Sequence, residues 1–124
     1  MINKKFYEFF ESIKDKLGIR KTSFTKIFQY LDNIEGPINI VETGCLRIKD
    51  NFKGDGQSTL LFDKYTQYRE EKSKVYTVDI NPKATKVCKS IVSDNVEIYT
   101  GDSVKYLAEL MPKLKKQNEK ISLF

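Results

Sequence analysis

Hydrophobic spacing divides the chain into two regimes. Phe6, Phe9, Phe10, Ile13 and Leu17 recur at helical intervals, while Lys4, Glu8, Glu11, Lys14 and Lys16 fall off that stripe. The spacing predicts a helix over residues 3–17, with Asn3 as N-cap and Gly18 just past its end. Phe24, Ile27, Phe28, Leu31 and Ile34 mark a second helix, capped by Thr22 or Ser23 and stopped by Gly36-Pro37. An aromatic stripe of this kind packs on a sheet or a neighbouring helix; it can also line a cleft.

From Ile38 the period changes. Residues 38–42 read as a strand ending on Glu42, followed by a glycine loop and a helix from about Gln57 to Arg69 carrying Leu60, Leu61, Tyr65 and Tyr68. Residues 75–78 read as a second strand ending on Asp79. Asn81-Pro82 combines a capping residue with a proline at the first helical position, and starts a helix presenting Ala84, Val87, Cys88 and Ile91. A third strand over 96–99 runs into Thr100-Gly101-Asp102, and Asp102 or Ser103 opens a helix reaching at least Pro112. Ile121 to Phe124 reads as the start of a fourth strand.

Strands alternating with helices predict a parallel sheet with right-handed crossovers. The expected architecture is α/β: a Rossmann-like sheet of about four strands in the order 3-2-1-4, with helices on both faces. Residues 1–36 form an N-terminal helical extension and 37–124 a ligand-binding unit that stops inside its fourth strand.

In a parallel sheet the carboxyl ends of the strands share one edge, so Glu42, Asp79 and Asp102 are expected to converge on one crevice. Three acids repel a phosphate, and the phosphate-loop signature is missing. A compact G-x-G-x-x-G after the first strand is missing too, which argues against a nicotinamide-dependent oxidoreductase. The acids suit a ligand with hydroxyls, an exocyclic amine and a positive charge. Asp79 can accept both hydrogen bonds of a ribose diol, Asp102 can receive an adenine amino group, and Glu42 can meet a cation or anchor the loop. Asp102 and Ser103 also suit a plain helix cap.

Composition narrows the picture further. The 124 residues suffice for one domain with a real core, and 31% charged residues describe a soluble chain. With no histidine, His-based triads and most zinc sites are excluded. Cys45 and Cys88 have no metal-ligand spacing and no secretory signal precedes them, so free thiols in a reducing cytoplasm are expected. The net charge of +5 raises the question of nucleic acid. Its densest cluster, Lys113, Lys115, Lys116 and Lys120, lacks interleaved aromatics and reads as a solvated helix face. No stretch approaches a membrane span.

The segment V-E-T-G-C followed by G-D-G-Q-S-T resembles the glycine motif of class I S-adenosylmethionine-dependent methyltransferases. V-Y-T-V-D-I-N-P resembles their second motif and V-E-I-Y-T-G-D-S their third, so the resemblance runs from about Ile38 to Phe124. It implies that Glu42, Gly44, Gly54, Gly56 and Ser58 surround the amino-acid end of the cofactor, Asp79 and Ile80 the ribose, and Asp102 and Ser103 the adenine. It also implies a small-molecule or glycan acceptor.

Two features depart from the family. Residues 46–53 separate the first glycine from the other two and carry Arg47, Lys49 and Lys53, suited to an anionic group or to solvent. The family's sheet has seven strands, and residues orienting the acceptor follow the fourth, so catalytic groups are expected beyond Phe124. A chain ending in an edge strand would pair as a homodimer or with a partner completing the sheet, or act as a non-catalytic binding module.

Overall fold

The computed structural model describes residues 3–46, 48–49, 57–69 and 72–124. Helix α1 (Lys4–Ile13) runs into a 3-10 segment (Lys14–Arg20), and α2 (Lys21–Asp32) follows. The expected helix over residues 3–17 therefore ends early. Its final turn tightens before Gly18, whose φ of +61° breaks the helical path. Asn3 occupies the N-cap position without capping; its Nδ2 instead donates to the Tyr65 carbonyl at 2.9 Å. Helix α2 starts from Arg20, so neither Thr22 nor Ser23 caps it.

Next come β1 (Asn39–Thr43), α3 (Ser58–Tyr68), β2 (Lys74–Asp79), α4 (Pro82–Ile91), β3 (Val96–Thr100) and α5 (Ser103–Lys116). Asn81 caps α4 as its sequence predicts, accepting from the Lys83 amide at 2.9 Å, with Pro82 at the first position. Helix α5 continues through Pro112 to Lys116. It then closes on Asn118 at φ +58°, with Glu119 N–H on the Leu114 carbonyl and Asn118 N–H on that of Lys115, a Schellman ending. Lys113, Lys115 and Lys116 fall in this last turn, where they oppose the helix dipole.

The sheet is parallel, with strands in the order β1-β2-β3. The four-strand order 3-2-1-4 is corrected to three strands. Residues 121–124 approach the free edge of β1 but form only a single parallel bridge, Ile40 to Leu123. Side chains contribute to that contact beside the backbone. The Ser122 hydroxyl, not a backbone carbonyl, accepts the Asn39 N–H at 3.2 Å, and Asn39 Nδ2 donates to the Lys120 carbonyl at 3.0 Å. Backbone bonds cluster at that bridge: Val41 N–H donates to the Leu123 carbonyl at 2.9 Å, and the Asn39 carbonyl accepts from Ser122 N–H at 2.8 Å and Leu123 N–H at 3.4 Å.

Strand register sorts the side chains onto two faces. Ile40, Val75 and Val96 are partners across the sheet and point one way, together with Glu42, Thr77 and Ile98. That face is covered by α1, α2 and α3 in an aromatic-rich core containing Phe6, Phe10, Phe24, Phe28, Phe62 and Tyr65, and by α4 through Ala84 and Cys88. The opposite face presents Val41, Tyr76 and Val78 to Tyr106, Leu110 and Leu114 of α5. The N-terminal helices thus share one core with the sheet. They are also pinned by polar bonds. Tyr7 and Tyr65 hydroxyls both donate to Asp32, and Arg69 donates to the carbonyls of Leu31, Ile34 and Gly36 at the end of α2. No helix among the described residues is long and apolar enough to cross a membrane.

Candidate functional site

At the carboxyl edge the three strands end side by side and are tied by their turns. Gly44 N–H donates to the Val78 carbonyl at 2.7 Å, and Gly101 N–H to the Asp79 carbonyl at 2.9 Å. Gly44 has φ +83°, a conformation costly for other residues, and a Cβ there would meet nothing within 4 Å. Its backbone is exposed and open to a ligand. Gly101, at φ +154°, is required for a different reason. A Cβ would come within 2.8 Å of the Tyr99 ring, which stacks on Tyr106.

Asp79 is 5% exposed, and backbone amides orient its carboxylate. Oδ2 accepts from Cys45 N–H at 3.2 Å and Oδ1 from Asn81 N–H at 2.9 Å, so the acid fixes both the turn after β1 and the start of α4. Ile80 follows it and is 74% exposed. Asp102 is exposed at the N-cap position of α5 and makes no side-chain capping bond; Ser103, half-buried, is the first residue of that helix. The structure therefore aligns Gly44, Asp79, Ile80 and Asp102 along one edge.

Glu42 is engaged differently. One carboxylate oxygen accepts from the Ser58 hydroxyl; the other accepts from Thr59 and, at 3.1 Å, from Thr77. Thr59 Oγ1 in turn accepts the Leu46 N–H at 3.0 Å. The acid knits β1, β2, the glycine turn and the first turn of α3 into one unit. Although the residue as a whole is half-buried, its carboxylate is enclosed, and this burial pushes its pKa up while the three hydroxyls pull it down. No cation stands on it among the described residues.

Gly54, Gly56, Arg47 and Lys53 lie outside the described residues; Lys49 is exposed. Four participants have no role at the site in the sequence reading. Thr59 and Thr77 hold Glu42, and Thr77 could have been found as a polar residue in register with Glu42 on an otherwise apolar face. Cys88 lies against Cys45, both buried and free. The Cys88 thiol donates toward Cys45, which lowers the Cys45 pKa and raises that of Cys88. Thr43, at the exposed end of β1, joins a cavity of about 370 Å³ beside β1, lined in part by Phe24, Ile27 and Phe62.

Comparison with protein-family models, with curated proteins and with solved structures returns no match for this chain.

Proposed function

We propose that the chain binds S-adenosylmethionine along the carboxyl edge of its sheet and serves methyl transfer to a small acceptor. One observation carries this reading: an open, positive-φ glycine after β1 stands beside an amide-oriented aspartate after β2, followed by an exposed Ile80 and the exposed Asp102 after β3. This order suits an adenosine-bearing ligand lying across the strand ends. A carboxylate offers about four acceptor directions, so the amides that orient Asp79 are compatible with a ribose diol on the same oxygens. Ile80 would cover the sugar, Asp102 would receive the adenine amine, and Gly44 would let the backbone approach. Glu42 and Ser58 support the loop from beneath.

The bound sulfonium would supply an activated methyl group; the protein's part is to bind, orient and exclude water. Calorimetric titration with S-adenosylhomocysteine tests the reading. Micromolar binding by the unaltered chain is expected, weakened by about tenfold or more in Asp79→Ala. Because Asp79 also holds two backbone amides, Ile80→Ala is the cleaner variant, weakening binding at unchanged stability. No binding by the unaltered chain overturns the reading, and binding of NAD in its place would turn it towards an oxidoreductase.

A further inference from the structure

The cofactor edge described above lies on the β2 side of Glu42. On the other side of the same residue, between β1 and the Leu123 bridge, is the cavity of about 370 Å³. It sits where the chain reverses its direction across the sheet, the position at which parallel sheets open a crevice. Phe24 and Ile27 of α2, Phe62 of α3 and Phe124 wall it, while Glu42 and Ser58 supply its polar end. A volume of this order is at the small end for ligand pockets.

Its chemistry is one-sided. The walls are aromatic and aliphatic, the polar end carries an acid, and no Lys or Arg is among the described residues that line it. Among the described residues Glu42 is held by hydroxyls, which satisfy its oxygens without neutralising its charge. A buried charge of this kind is costly until a cation joins it. An amino acid would bring its own carboxylate to a cavity whose described lining holds no cation to receive it. An amine without a carboxylate fits, and the phenylalanine walls favour an aromatic body through edge and offset contacts.

We propose that this cavity binds a small arylalkylamine, its ammonium on Glu42 and its ring between Phe24 and Phe62, as the acceptor of the methyl group. The ammonium would pass one proton to the Glu42 carboxylate; the nitrogen lone pair so freed would form the N–CH3 bond as the methyl–sulfur bond breaks, its electron pair leaving on sulfur as the neutral thioether, and Glu42 would then release its proton to solvent. Its role as acceptor rests on the cofactor reading; its affinity for the amine does not. The cofactor's own amino-acid tail is the competing source of an ammonium at Glu42, and its carboxylate argues against it.

The test follows the methyl resonances of Ile27 and Leu123 in the otherwise unaltered chain, titrated with 2-phenylethylamine, phenylalanine and 2-phenylethanol. The amine is expected to shift them, with phenylalanine and the alcohol weaker by roughly tenfold to a hundredfold, the range of one charge-assisted hydrogen bond. Glu42→Gln should remove that preference. Should Glu42→Gln fail to fold, Ile27→Trp fills the cavity instead and should abolish the shift of the remaining reporter, Leu123. Saturating S-adenosylhomocysteine should leave the amine's affinity within about a factor of two. Equal binding of amine and alcohol, no response to the amine, or its displacement by S-adenosylhomocysteine each overturns the proposal. If the amine binds while S-adenosylhomocysteine does not, the cavity stands and the cofactor reading falls.

Discussion

Phe28 and Glu42 stand on the same side of the sheet and both are enclosed, yet they are held in opposite ways. Phe28 is fully buried among Phe6, Phe10, Phe24, Phe62 and Tyr65, with ring centroids at 4.5 Å to Phe6 and 5.1 Å to Tyr65. Its contribution is area removed from water and close packing, which is non-directional and large. Glu42 contributes directed bonds from three hydroxyls, and part of what they gain is offset by the cost of enclosing a charge. The aromatic region should therefore set global stability. The carboxyl edge should set local order at modest energetic weight, leaving it open to a ligand.

Truncating the aromatic core is the largest expected effect. Phe28→Ala should cost about 3–5 kcal/mol in urea unfolding, by lost transfer energy plus a cavity. If the edge and core are energetically distinct, S-adenosylhomocysteine affinity per folded molecule should change little. Affinity falling in step with stability would break the distinction.

Asp32→Asn probes the polar rim of the same core. It removes the charge from the acceptor shared by Tyr7 and Tyr65, and should cost about 1.5–3 kcal/mol. The two tyrosines also predict alkaline behaviour. Burial and the Asp32 hydrogen bond raise both phenol pKa values above the ordinary value near 10. The fold thus holds their protons more tightly than the unfolded chain. That stability is complete below about pH 10 and is lost as pH rises through the folded values. Denaturation midpoints should fall above about pH 10, and less steeply in Tyr7→Phe.

The contrast also explains what could be read from the chain. Phe6, Phe10, Phe24 and Phe28 were legible as one face because helical spacing alone puts them together. The strands were legible to within a residue or two, and Asn81-Pro82 announced its own cap. The partners of Glu42 were not, because Thr59 and Thr77 reach it only through the α3 approach and the β1–β2 register. The fourth strand failed for a related reason. Ile121 to Phe124 has strand-forming residues, but the Asn39 N–H goes to the Ser122 hydroxyl and the Asn39 side chain to the Lys120 carbonyl, so pairing stops at the one bridge. Likewise, nothing in the spacing of Cys45 and Cys88 indicates that α4 lays one thiol against the other.

At the edge, Asn81→Ala should cost about 1 kcal/mol, the usual weight of a lost N-cap. Because Asp79 also bonds the Asn81 amide, the variant should loosen the Asp79 turn selectively. Faster amide exchange at Cys45 and Asn81, with the α1–α3 amides unchanged, would sharpen the contrast; uniform acceleration would break it.

The smallest effect is the most diagnostic. Burial raises the Glu42 pKa, so the fold favours its protonated form more than the unfolded chain does. That contribution is fully present below the unfolded carboxyl value near 4.3 and is lost as pH rises through the folded value. Glu42→Gln removes the titration while keeping an acceptor for the hydroxyls of Thr59 and Thr77; its amide NH2 turns the Ser58 hydroxyl from donor to acceptor, a change that does not vary with pH. The variant should therefore gain on the unaltered chain as pH climbs from about 4 towards neutrality, with a slope no steeper than about 1.4 kcal/mol per pH unit. Cys45 and Asp79 stand nearby, but Asp79 is present in both proteins and cancels in the difference. Urea midpoints of the pair across that range measure it. A pH-independent difference would mean that Glu42 ionises in the fold at no cost, its hydroxyls offsetting the burial. In that case the edge, like the core, would be built for stability: the carboxylate would stand ionised and satisfied by its hydroxyls, and an amine would meet its charge without relieving a cost of burial.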